Sequence, residues 1–293
     1  MGKKKDDFVI INGAVKNEND AFVSIKNSGF LYGDGLFETI KAANGRVCLL
    51  EEHLERLCGS LIFFNYKIGD LQHFKNNIKN NIAKLSEIKK LNEKDAFIKI
   101  IVCREEYEKR LDYKTAPCYT IIIFMEELNH YPETVYYTGI DIIISSIKRT
   151  ACDNAIYRHK VLNYLENIFA RNEALSKGYD ESLFISEEGF ILEASTSNIF
   201  IVKKDKIFTP ALSFNILPGI TREKVLKICS ANRIKAEEKE IHKDALFDAD
   251  EIFLTNCLAG ILPVKKIENQ SFYTGNPDSI TKKISALYKK EKL

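Results

Sequence analysis

The stretch AIYRHKVLNYLENIFARNEALSKG, residues 155–178, decides how the chain is read. From Val161 onward it has the pattern of an amphipathic helix. Val161, Leu162, Leu165, Ile168 and Phe169 fall on one face at three-and-four spacing. Asn163, Glu166, Arg171 and Glu173 take much of the other side, and Gly178 supplies a C-terminal stop. Lys160 stands at the mouth of this helix, beside residues that read as buried. Such a lysine is either a solvated surface charge or an amine kept partly dehydrated for Schiff-base chemistry with an aldehyde. The residue alone leaves both readings open.

Working outward, GIDIIISSI before this segment reads as a strand. After it come LFIS-EEG-FILEA and NIFIV-KKDK-IFTP, two strand–turn–strand units joined by STS, expected to form an antiparallel meander. LPGITREKVLKICSANR places Pro218 and Gly219 ahead of another amphipathic helix, and ADEIFLTN and PVKKIE are expected to close the chain as strands. In the first 125 residues, FVIING and NGRVCLL are strand-like, and EEHLERLCGSLIFFNY and LQHFKNNIKNNIAKL carry helical stripes. AFIKIIVC and CYTIIIF are β-rich runs expected to pair. MEELNHYPETVYY, polar and containing Pro132, is taken as the interdomain connection. Two domains are therefore expected: 1–125, a linker at 126–137, and 138–293. Strands and helices do not alternate in βαβ rhythm, which argues against a doubly wound parallel sheet.

Bulk composition excludes several classes. The chain has 293 residues, 45% apolar and 29% charged, ordinary for a soluble globular protein. Its 43 Lys and Arg against 41 Asp and Glu give no electrostatic case for nucleic acid or a membrane surface. No apolar run approaches the ~20 residues of a spanning helix, and MGKKKDDFVIING lacks a signal core. Seven scattered cysteines without a C-x-x-C pair read as reduced thiols of a cytoplasmic protein. Neither cysteines nor histidines show metal-ligand spacing.

Four features converge. The first is Lys160. The second is Glu193 in FILEASTSNIF, either a strand-end surface charge or a carboxylate facing a site, in which case it needs a cationic partner. The third is LPGITR, where Gly219, Ile220 and Thr221 at a helix start expose N–H groups suited to phosphate, or form an ordinary turn capped by Thr221. The fourth is EEHLERL, with His53 and Arg56 three apart; Arg56 is either a phosphate clamp or a surface arginine. An aldehyde-binding lysine, a phosphate cradle and a carboxylate for a pyridine nitrogen together describe a pyridoxal 5′-phosphate site.

The order of these features resembles the class IV, fold-type IV family of pyridoxal-phosphate enzymes. The likeness runs through YGDGLFET (32–39), HLERL, HKVLNYLEN, LEASTSNIF, ILPGITR and TNCLAGILPV. It implies an α+β, two-domain, D-amino acid aminotransferase-like fold. A small N-terminal α/β domain would precede a larger C-terminal domain with an antiparallel β-meander or barrel. It implies that Lys160 is the catalytic residue joined to the cofactor. Arg56, Tyr164, Glu193, Ser197, Asn198, Ile220, Thr221 and Asn256 would be cofactor-binding, with Asn163 and Ser195 nearby. The substrate side would comprise Phe30, Glu38, Arg104, Arg110 and Leu258. A homodimer acting on a small amino substrate is implied, with no metal, nucleic acid or membrane partner.

Within the family, Thr255–Asn256 and HKVLNYLEN are more like the 4-amino-4-deoxychorismate lyases, and Phe30 replaces the substrate tyrosine of D-amino acid transaminases. Glu38 stands where some lyases carry threonine, and the Arg104–Arg110 strand lacks the usual R-G turn. The expected activity is the lyase giving 4-aminobenzoate, a folate precursor, and pyruvate. The alternatives are a branched-chain or other amino acid aminotransferase, and an inactive binding protein of the same fold.

Overall fold

The computed structural model describes residues 7–106, 111–112, 118–149, 154–272, 274, 276 and 278–291. The chain divides into two compact units. The first runs to Asn129 and also takes in His159–Asn163; the second comprises His130–Arg158 and Tyr164 onward. The division falls inside the polar, proline-containing segment read as a connection. The return of His159–Asn163 to the first unit has no counterpart in that reading.

The first unit contains β1 (Phe8–Ile11), β2 (Ala14–Asn17), the one-turn α1 (Ser28–Tyr32), β3 (Gly35–Ala43), β4 (Arg46–Val47), α2 (Leu50–Phe63), α3 (Leu71–Ile88), β5 (Ala96–Arg104) and β6 (Tyr119–Glu127). Its six strands pair antiparallel in the order β2-β1-β6-β5-β3-β4. Alternation along β3 and β5 sends Leu36, Ile40, Ile98, Ile100 and Val102 to one face, where they pack with Leu54, Leu57 and Leu61 of α2 and Phe74, Ile78 and Ile82 of α3. The side chains one step away, Phe37 and Lys99, lie on the opposite face by the same period of two.

The second unit contains α4 (Val135–Thr138), β7 (Ile140–Ile144), α5 (Leu165–Ser176), β8 (Glu181–Ile185), β9 (Ile191–Ala194), β10 (Asn198–Lys203), β11 (Lys206–Pro210), α6 (Ile220–Ala231), β12 (Ala236–Lys239), β13 (Glu251–Asn256), β14 (Gly260–Ile267), β15 (Gln270–Ser271) and α7 (Ile280–Lys290). Its sheet runs β12-β11-β10-β13-β14-β7-β8-β9, with β15 on β14. The expected simple meander is corrected in two ways. The hairpins β8–β9 and β10–β11 are real, but β10 pairs with β13, and Ala194 N–H at the end of β9 donates to the carbonyl of Ser197, just before β10, at 2.7 Å. Three pairings, β11–β12, β14–β7 and β7–β8, are parallel. The chain also ends on a helix rather than a strand: Ser279 accepts from the Lys282 N–H to cap α7, which buries Ile284 and Tyr288.

The opening stretch is corrected most. The helix begins at Leu165, not Val161. It seats on the sheet through Ala170 and Ala174, both fully buried, so small side chains set its closest approach. Leu165, Ile168 and Phe169, expected to be buried, are 77%, 52% and 53% exposed. The side of α5 bearing Glu166 and Asn167 instead meets the second unit through polar contacts described below.

Candidate active site

Residues 160–162 extend the first unit's sheet as a short added strand. Phe37 N–H donates to the Lys160 carbonyl at 2.8 Å, Leu162 N–H donates to the Gly35 carbonyl at 2.9 Å, and Leu36 and Val161 form an antiparallel bridge. The glycines of YGDG make room for it. A Cβ on Gly35 would lie 2.5 Å from Leu162 Cδ1, and one on Gly33, at φ +69°, would lie 3.0 Å from Asn163 Cβ. His159 is fixed from the side, its Nδ1 2.9 Å from Ser60 Oγ and its ring stacked on Phe63. Lys160 is thereby held half-buried with Nζ 4.4 Å from the Phe37 ring centroid. Lys99 Nζ lies 4.0 Å from the same centroid. Burial, and then the charge of Lys160, bring the Lys99 amine down to about 8.

On the helix-covered face of the same sheet, Glu38 is 1% exposed. Arg56 Nε donates to Oε1 at 2.8 Å and Nη2 to Oε2 at 2.7 Å, while His53 Nδ1 lies 2.7 Å from Oε2. Burial opposes ionisation of this carboxyl most strongly, but Arg56 and His53 outweigh it and hold the group at about 2. Both oxygens of Glu38, expected among the substrate-binding groups, are thus engaged within the protein. Arg104 is likewise engaged within the first unit. It is 2% exposed, lies over the Tyr66 ring, pairs with Asp34 and donates to the carbonyls of Phe64 and Asn65, holding the end of α2. Phe30 is 73% exposed on α1. Arg110 lies outside the described residues.

In the second unit, Glu193 is 7% exposed at the end of β9. The cationic partner that its burial demands is Arg149, whose Nη1 donates to Oε1 at 2.9 Å; Leu217 N–H donates to Oε2 at 3.1 Å. Arg149 also donates to Glu166 and Asn167 of α5, both at 3.0 Å, and lies over Phe184 at 3.6 Å. Tyr164 donates through Oη to the Ser195 carbonyl at 3.1 Å, and Asn167 to the same oxygen at 2.7 Å. Burial, followed by the charge of Glu193, raises the Tyr164 phenol, so it remains a proton donor. Glu181 secures the STS turn, accepting from Ser195 and Thr196 hydroxyls.

The LPGIT segment enters α6 with Gly219 at the N-cap, without a side-chain cap. Asn198 donates to the Leu217 carbonyl at 3.0 Å, and a Cβ on Gly219 would sit 1.9 Å from Asn198 Oδ1. Only glycine permits that approach, which leads into the first N–H groups of the helix. Ile220 and Thr221 are buried there. Asn256 donates to Ser197 Oγ at 3.0 Å and accepts from Leu258 and Ala259 N–H, ordering the closing loop. The preceding Thr255 hydroxyl is buried without a hydrogen-bond partner.

The profile of the class IV amino-transferases matches residues 35–267. The chain belongs to the class IV aminotransferase family. It is 33% identical to a putative branched-chain-amino-acid aminotransferase of Methanocaldococcus jannaschii, over 96% of this chain and 95% of that one. It is 30% identical to the aminodeoxychorismate lyase of Bacillus subtilis, over 97% and 94%. The branched-chain aminotransferase of Escherichia coli superposes with a TM-score of 0.86 at 26% identity, over 96% of this chain and 93% of that one. The fold is therefore fold-type IV, and this class IV chain is an enzyme dependent on pyridoxal 5′-phosphate. The residues present fit that cofactor: an amine held in place, a buried carboxylate braced by a cation, and a glycine-only approach to a helix start.

Arg149 and Lys99 were not found from the sequence, and His53 was singled out only for its spacing from Arg56. Lys99 left a signal, being the one charge inside the apolar run AFIKIIVC. Arg149 left none, since Lys148 and Arg158 are equally basic neighbours.

Two measurements test this electrostatics. Arg149→Met leaves Glu193 as an uncompensated buried charge and should lower unfolding free energy by about 3 kcal/mol, with Glu193→Gln added in the same chain restoring most of it; denaturant unfolding reads both. Glu38 is held below its ordinary range, so its stabilisation is present above about pH 4.5 and is lost as pH falls toward about 2. The stability gap between wild type and Glu38→Gln should therefore shrink across that window in acid titrations of unfolding.

Proposed function

We propose that this chain is a 4-amino-4-deoxychorismate lyase. The observation that carries the reading is the pair of amines, Lys160 and Lys99, over one phenylalanine ring. A second, partly buried cation beside the reactive amine suits a substrate bearing carboxylates and ill suits an aliphatic side chain. Aminodeoxychorismate carries two carboxylates. Asn256 of the closing loop and the absence of the substrate tyrosine at Phe30 support the same choice.

In this reading Lys160 would hold the cofactor, and its amine is the base that takes the proton from the amino-bearing ring carbon. When bound, pyridoxal phosphate supplies the sink for that bond's electron pair. Glu193, braced by Arg149, is the partner of the pyridine nitrogen. Arg56 and the N–H groups of Ile220 and Thr221 hold the phosphate, with Asn198 fixing their approach and Ser197 and Asn256 ordering the adjoining loop. Tyr164, whose phenol donates to the Ser195 carbonyl, would flank the ring. Lys99 binds a substrate carboxylate, with Leu258 on the loop that flanks the substrate. The C–O bond to the enolpyruvyl group on the neighbouring carbon breaks, the ring aromatises to 4-aminobenzoate, and the enolpyruvate takes up a proton to become pyruvate. Aromatisation supplies the driving force, so positioning and one base suffice.

The second reading is an aminotransferase, favoured by the Methanocaldococcus relative. The inactive reading is set aside, because the family is one of enzymes. We further propose a homodimer. Phe22, Ile25 and Phe30 in the first unit are 80%, 76% and 73% exposed, and α5 turns Leu165, Ile168 and Phe169 outward. Exposed large apolar side chains of this kind are what a second copy covers. No helix among the described residues is long and apolar enough to cross a membrane, and six described cysteines are unpaired, which supports the cytoplasm as its compartment.

Incubated with aminodeoxychorismate, the enzyme should release pyruvate and 4-aminobenzoate in equal amounts. With leucine and 2-oxoglutarate it should form no glutamate; the reverse result establishes the aminotransferase. Lys160→Ala should abolish turnover. Lys99→Met should raise KM for aminodeoxychorismate about tenfold, as for a lost charge-assisted hydrogen bond, while cofactor affinity stays unchanged in an absorbance titration.

A further inference from the structure

We propose that Glu38 and His53 are positioning residues that orient Arg56 toward the cofactor phosphate. The inference rests on the reading of Arg56 as a phosphate ligand. Glu38 sits on β3 between Leu36 and Ile40, two core side chains that are 2% and 0% exposed. A carboxylate among such neighbours is costly unless every oxygen is engaged, and an apolar residue would serve packing as well. What an apolar residue cannot do is fix a guanidinium. Glu38 grips Arg56 side-on, through Nε and Nη2, and so sets both the plane of the guanidinium and the direction of the edge carrying Nη1.

His53 completes the arrangement. It lies one helical turn before Arg56 on the same face of α2, with its Nδ1 on the oxygen that also receives Nη2. The carboxylate plane is thus held from two directions. His53 is 2% exposed and Arg56 12% exposed at the side chain, so neither is a solvent-borne group that could adopt this geometry by accident of crowding.

Two effects of Glu38 oppose each other. Its negative charge weakens the attraction of Arg56 for phosphate. Its grip removes the rotamer freedom that a long side chain otherwise loses on binding. The proposal is that orientation outweighs repulsion. A residue that merely supports the fold would affect every ligand alike, whereas a positioning residue affects only ligands bearing the phosphate.

The test uses the full apo chain titrated separately with pyridoxal 5′-phosphate and with pyridoxal, reading bound ligand by equilibrium dialysis. The preference for the phosphorylated form is the ratio of the two dissociation constants. Glu38→Gln and His53→Leu should each lower that ratio, by about tenfold for Glu38→Gln. His53→Asn, whose amide can donate near the position of Nδ1, should keep it. If Arg56→Gln leaves the ratio intact, the phosphate reading of Arg56 falls. If Arg56→Gln collapses it but Glu38→Gln and His53→Leu do not, or if they weaken both ligands equally, the positioning role falls. Should Glu38→Gln fail to fold, the His53 pair decides alone.

Discussion

Two backbone hydrogen bonds organise much of what this chain can do. They tie residues 160–162 to the beginning of β3, from Phe37 N–H to the Lys160 carbonyl and from Leu162 N–H to the Gly35 carbonyl. A lysine has four torsions and, on a free loop, no defined place for its amine. Pinned as an added strand, its backbone has only sheet geometry available, and the Phe37 ring defines where the stem can lie. The rest of YGDGLFET follows from this constraint. Gly33 and Gly35 let the added strand approach, and Glu38, three residues further along, turns to the opposite face, where α2 supplies His53 and Arg56.

The second unit solves a different problem, that of keeping a carboxylate in a buried place. Glu193 closes an apolar strand, and its burial is tolerated because Arg149 donates to it directly. Arg149 in turn is held by Glu166, Asn167 and the face of Phe184, so the charge is passed outward by hydrogen bonds rather than left in the interior. This explains the inverted face of α5. The residues that matter to the unit are Glu166 and Asn167 and the small Ala170 and Ala174, while Leu165, Ile168 and Phe169 are largely exposed.

The sequence was legible where local chemistry and tertiary need coincide. The stripes of α2 and α3, the pairing of β5 with β6 and the turn before α6 follow from periodicity and glycine placement. The demand of Glu193 for a cation could be stated in advance, since it is a matter of solvation, but the identity of that cation could not. Arg149 is 44 residues away and its pairing is fixed by tertiary structure. The start of α5 was misread for a related reason. Apolar spacing does not say whether a residue such as Val161 continues a helix or joins a strand, and here residues 160–162 pair with β3. Arg104 shows the converse: its contacts with the carbonyls of Phe64 and Asn65 after α2 could not be read from its place at a strand end.

The membership of His159–Asn163 in the first unit bears on how the protein is made. The early residues of β3 keep an open flank until a segment more than a hundred positions later is delivered to them. A ribosome therefore releases an incomplete first unit, and completion waits until part of the second has already been synthesised. The two units are successive in the gene but interleaved in assembly, so cutting the chain near residue 129 would separate the first from one of its own strands.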